Sequence, residues 1–131
     1  MNKIVLSLAA LAGVALTAGP AVARDRLSGD EKLAKLLEGR VAGEPRSCIN
    51  TRINSESQII DRTAVVYGRG RTIWVNIPAN ARDLDDGDAM LTRQYSSNLC
   101  RQDIVTTFDT TGGFYTGNVF LSDFVPYTRA N

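Results

Sequence analysis

Thr63-Ala64-Val65-Val66-Tyr67-Gly68-Arg69-Gly70-Arg71-Thr72-Ile73-Trp74-Val75-Asn76-Ile77-Pro78 reads as a β-hairpin. Its two arms are β-branched and aromatic, residue types that fit a pleated, half-buried surface. Gly68-Arg69-Gly70 between them is a strong turn signal, and Pro78 stops the second arm. Outward from this hairpin the same grammar repeats. Ser47 to Ile53 carries Ile49, Thr51 and Ile53 on alternate positions, and Gln58 to Asp61 holds a short Ile-Ile run. Pro78 to Gly87 is a loop, after which Ala89 to Tyr95 resumes alternation. Gln102 to Asp109 is another strand, turned by Gly112-Gly113 into Phe114-Tyr115-Thr116, and Asn118 to Val125 closes the chain ahead of Pro126. Five to seven short strands with Gly, Pro, Asn and Asp turns predict a mainly β fold, a small barrel or sandwich.

Upstream of the strands the period changes. Ser28-Gly29-Asp30-Glu31 fits a capping box, Leu33, Leu36 and Leu37 follow on one helical face, and Gly39 suits a left-handed cap. One amphipathic helix is expected over about residues 29–38. Further upstream, Lys3, the apolar run Ile4 to Leu16, the break Gly19-Pro20 and the small-x-small triplet Ala21-Val22-Ala23 have the layout of a secretory signal. The expected organisation is a signal peptide over 1–23, a lead-in and short helix over 24–43, and one β domain over 44–131. The apolar run is shorter than the roughly 20 residues a bilayer core needs, so no membrane span is expected after signal cleavage. The expected location is the periplasm or the exterior.

Export decides how the cysteines read. Cys48 and Cys100 are the only two, and an oxidising compartment makes a disulfide the default, with free thiols the alternative. Closing a loop of roughly 50 residues constrains the unfolded chain by about 4 kcal/mol in the loop-entropy model. The chain has 15 basic and 14 acidic residues, and one of the bases, Lys3, lies in the leader. The chain beyond the leader is neutral, so no long-range field draws it to nucleic acid or anionic lipid. There is no histidine, which removes imidazole bases, His-containing triads and His metal ligands.

Three polar features remain. Asp83, Asp85, Asp86 and Asp88, with Asn80 ahead of them, could hold a hard cation such as calcium through oxygen ligands, or form a solvated turn. The spacing does not fit an EF-hand, which wants Gly where Asp88 stands and Glu where Gln94 stands. Tyr67, Arg69 and Arg71, with Trp74 beyond, could form a tip that stacks on or grips a ligand, or simply serve the hairpin. Asp61, Asp103 and Asp109 are the only acids placed to attempt glycosidase-type chemistry, which needs two carboxyls facing one cleft. No nucleophile-and-base set and no nucleotide or metal-cofactor motif occurs, so no catalytic residue and no cofactor is expected.

Arg46-Ser47-Cys48-Ile49, Ile60-Asp61-Arg62-Thr63 and Leu99-Cys100-Arg101-Gln102-Asp103-Ile104 together resemble a family of small exported proteobacterial proteins defined by a domain of unknown function. The resemblance spans about residues 44–125 and implies export and a disulfide-bearing β domain, with no activity to carry over. Members often hold further cysteines where this chain has Ala81 and Asn118-Val119-Phe120. If those pair with each other, Cys48–Cys100 is the bridge that remains; if not, each cysteine here has lost its partner. The expected function is a non-enzymatic binding or envelope-associated structural domain with a protein or envelope-polymer partner. The alternatives are a carboxylate-dependent enzyme on an envelope polymer and a calcium-responsive module.

Overall fold

The computed structural model describes residues 26–131 and Gly19; the signal segment expected over 1–23 lies, Gly19 aside, outside the described residues. Among the described residues one α-helix, a short 3-10 turn (Ala81–Asp83) and ten strands come in chain order. The helix and strands are α1 (Gly29–Leu37), β1 (Arg40–Ala42), β2 (Cys48–Asn50), β3 (Ser57–Ile60), β4 (Ala64–Tyr67), β5 (Thr72–Asn76), β6 (Asp88–Thr92), β7 (Asn98–Cys100), β8 (Ile104–Asp109), β9 (Tyr115–Phe120) and β10 (Phe124–Arg129). They form three antiparallel sheets: a central one in the order β1-β10-β5-β4-β3, a pair β2-β7, and an outer one in the order β6-β8-β9. The fold is mainly β, and the three sheets do not close into a barrel.

The hairpin forms as its residues dictate. Tyr67 faces Trp74 and Val66 faces Val75, with Gly68 and Gly70 at φ +81° and +85° in the turn. Each side of this sheet has its own core. Val65, Tyr67, Trp74 and Phe124 point toward the two smaller sheets and pack with Ile49, Leu99, Val105 and Val119. Ile60, Ala64, Val66, Ile73 and Val75 point the other way and receive Leu33, Leu36 and Leu37 of α1. That double coverage is why β4 is buried along its whole length and does not alternate in sequence.

Helix α1 starts as expected. Ser28 N donates to Glu31 Oε2 at 2.7 Å and Glu31 N donates to Ser28 Oγ at 3.2 Å. Gly29 meets the β3–β4 turn so closely that a Cβ would run into Thr63 Oγ1 and the Asp61 carbonyl. The helix is thus seated at its first residue as well as along its leucine face.

Four strand assignments differ from expectation, and in the first of them the segment Asn118 to Val125, read as one closing strand, is broken between β9 and β10. β1 lies within the segment read as lead-in and helix, yet pairs with β10 through Arg40↔Arg129 and Ala42↔Tyr127. β7 is a three-residue strand with no visible period. β10 continues through Pro126, which pairs with Trp74. Proline is tolerated there because its missing donor faces the side where β1 has already ended at Ala42, while its carbonyl accepts from Gly43 N at 2.7 Å.

The cysteines pair with each other. Cys48 and Cys100 stand directly opposite in β2–β7 and form a disulfide, with no free cysteine among the described residues. The bond fastens the two-stranded sheet, whose two buried members Ile49 and Leu99 are the next pair along.

Candidate functional site

The acidic loop is brought near a second element. Asp85 and Asp86 converge with Asp61 of the β3–β4 turn, so that one carboxylate oxygen from each lies within 4.8 Å of the others. Asp83 and Asp88 turn elsewhere: Asp83 accepts from Asn80 at 3.3 Å, and Asp88 accepts from Thr116 at 2.6 Å. Asp86 already has a cation, since Lys32 Nζ of α1 lies 3.1 Å away. Asp85 also accepts from Gly87 N at 2.8 Å, as a turn carboxylate does. One ion pair joins the loop to α1, and Arg62 N donates to the Leu84 carbonyl at 3.0 Å to join it to the β3–β4 turn.

Asp61, Asp103 and Asp109 are not gathered in one place. Asp103 accepts from Cys100 N at 2.7 Å, just before β8, whereas Asp109 ends β8 and accepts from Thr111 N and Gly112 N. Six residues of extended chain set Asp103 and Asp109 about 20 Å apart. Each of the two caps a turn.

The hairpin tip splits into separate roles. Arg69 forms an exposed ion pair with Glu56 at 3.0 Å. The carbonyls of Gly70 and Arg71 accept from Arg40, at 2.9 and 2.8 Å, so the turn is tied to β1. Burial, helped by Arg129, draws the Arg40 pKa below its usual value. Tyr67 is not at the tip. Its ring is buried, edge-on to Phe124 with centroids 5.7 Å apart. Burial pushes the Tyr67 pKa up, so the hydroxyl stays protonated.

Two features escaped the sequence reading. The first is a cavity of about 310 Å³ where the three sheets meet, bordered by Thr51, Asn54, Tyr67, Thr92 and Gln94. The second is the outer face of β6-β8-β9. There Leu91, Ile104, Phe108, Tyr115 and Phe120 share one side, by the register Leu91↔Thr106, Ile104↔Phe120 and Phe108↔Tyr115. Leu91 is 50%, Ile104 60%, Tyr115 57% and Phe120 55% exposed. Phe108 and Tyr115 meet edge-on at 6.3 Å, and a groove of about 480 Å³ runs along Leu91, Ile104 and Phe108 toward Tyr95. A signal for this face was present in Ile104-Val105-Thr106-Thr107-Phe108, which is apolar on both phases with only one helix available to cover a sheet.

No protein-family model, curated protein or solved structure matches the chain. Among the described residues no helix is long and apolar enough to cross a membrane.

Proposed function

We propose that the protein is an exported, soluble, non-enzymatic domain of the cell envelope that binds its partner through the outer face of β6-β8-β9. One observation carries this reading: five large apolar side chains share a sheet face that no described element covers. The largest apolar patch on a soluble domain is often functional. Three strands at about 4.8 Å spacing and five residues at about 3.4 Å give this face roughly 250 Å². Two such faces together would bury about 500 Å², well short of the roughly 1,200 Å² of a stable interface. The footprint therefore suits a chain-like envelope polymer or a protruding protein segment better than a second copy. The signal-like leader supports export, and the neutral charge of the remaining chain supports a partner recognised by shape. Kinship with small exported proteobacterial proteins belongs to the same proposal.

The test is site-specific photocrosslinking in intact cells, with the probe at Leu91 or Phe120 and, as control, at Lys35 on α1. Adducts from Leu91 and Phe120 but not Lys35 are expected. Equal labelling from all three positions, or none from the sheet face, would sink the reading.

A further inference from the structure

The cavity where the three sheets meet is bordered by a residue with a polar group that the described fold leaves unused. Tyr67 is 5% exposed, and its hydroxyl is a buried side-chain polar atom without a hydrogen-bond partner among the described residues. Phenylalanine would fill the same space and keep the edge-on contact with Phe124 without leaving a polar atom unpaired. The hydroxyl is thus a donor in reserve, and burial keeps it protonated.

The surroundings say what it would donate to. The cavity wall is hydroxyl and amide, from Thr51, Asn54, Thr92 and Gln94, over an apolar floor of Met90 and Leu99, and none of the described residues bordering it carries a charge. Two of the polar groups are oriented by the backbone: Asn54 Nδ2 donates to the Asn50 carbonyl at 2.8 Å, and Thr51 Oγ1 donates to the Ser97 carbonyl at 3.0 Å. A volume of about 310 Å³ stands at the low end of ligand pockets, roughly 300–1,000 Å³, and admits one ring rather than a chain. An uncharged wall gives an ion nothing to pair with, while hydroxyl and amide groups offer a neutral ligand both donors and acceptors.

We propose that this cavity binds a neutral polyhydroxylated ligand, a single sugar residue, with one ligand oxygen accepting from the Tyr67 hydroxyl. The hydroxyl is closed off from solvent as the side chains stand, so the ligand reaches it when Met90 or the exposed Gln94 changes rotamer. Methionine's three rotatable bonds suit it to that motion. The site lies on the inner side of β6, opposite the open face, and is independent of whatever binds there.

The experiment is ligand-detected NMR and thermal unfolding of the purified protein against glucose, galactose and N-acetylglucosamine, with glucuronate as the charged control. At least one neutral sugar is expected to bind and raise the melting temperature, and glucuronate to bind at least tenfold more weakly. Tyr67→Phe should melt at the same temperature as the parent or higher, yet lose at least tenfold in affinity. Should that variant fold poorly, Gln94→Ala on the exposed rim carries the same expectation. Phe120→Ser, on the opposite face, should leave sugar binding unchanged. The proposal is overturned if no neutral sugar binds, if glucuronate binds as well as the neutral sugars, or if a folded Tyr67→Phe retains full affinity.

Discussion

The central sheet and the outer sheet are built from similar residues and end in opposite circumstances. In the central sheet both faces are apolar and both are covered around β4 and β5, one by Leu33, Leu36 and Leu37 of α1 and the other by the smaller sheets, while Val41 at the β1 edge stays exposed. In the outer sheet Val105 and Val119 face that shared core, while Leu91, Ile104 and Phe120 on the reverse meet solvent. An apolar side chain on a covered face is explained by stability; on an open face it contributes little to folding and is available to a partner. The difference separates apolar surface that holds the molecule together from apolar surface that stability does not explain.

That contrast can be broken at its strongest point first. Phe124 is fully buried where β10 joins the inner core, so Phe124→Ala should cost about 3–5 kcal/mol, read from urea unfolding. Replacing Cys48 and Cys100 together by alanine should cost roughly 2–4 kcal/mol, since the bond closes a separation of 52 residues. Such a loss, against a total of about 5–15 kcal/mol, leaves a marginal domain. Leu36→Ala, on the half-buried helix face, should cost about 1–2 kcal/mol.

The helix start offers a finer probe. Ser28→Ala removes the capping oxygen and should cost about 1 kcal/mol. The Ser28 backbone N–H, and then its hydroxyl, hold the Glu31 carboxyl below its ordinary value of 4.5. A depressed carboxyl stabilises the folded state above its unfolded pKa and loses that contribution as pH falls through the folded value. A small drop in melting temperature on acidification below about pH 4.5 should therefore shrink in Glu31→Gln. The smallest effect sharpens the contrast most: Leu91→Ala, the same change as at Leu36, should shift stability by less than about 0.5 kcal/mol. A Leu91→Ala as costly as Leu36→Ala would mean that the outer face is covered after all.

Local signals carried much of the architecture. The hairpin was legible because Gly68 and Gly70 supply positive φ between two β-branched arms, and the helix because Ser28 and Glu31 satisfy each other's backbone donors within one turn. What was missed is what pairing creates. β1 and β7 are three residues long, too short for a period, and exist because β10 and β2 offer them partners. Pro126 stops a strand in isolation but not one whose neighbour has already ended. The candidate residues obeyed the same rule. Tyr67 stands beside Arg69 and Arg71 in sequence, yet alternation along β4 sends its ring into the core, away from them.

By itself, then, the amino-acid sequence determined a mainly β domain with one capped helix, and it marked the only two cysteines available to pair. Those properties depend on contacts a few residues apart and on composition. Tertiary structure alone decided that Asp61 joins Asp85 and Asp86, that Tyr67 keeps an unpaired hydroxyl beside an uncharged cavity, and that one of two apolar sheets is left open. Each of these depends on which segments, tens of residues apart, come to lie together, and periodicity along a chain holds no record of that.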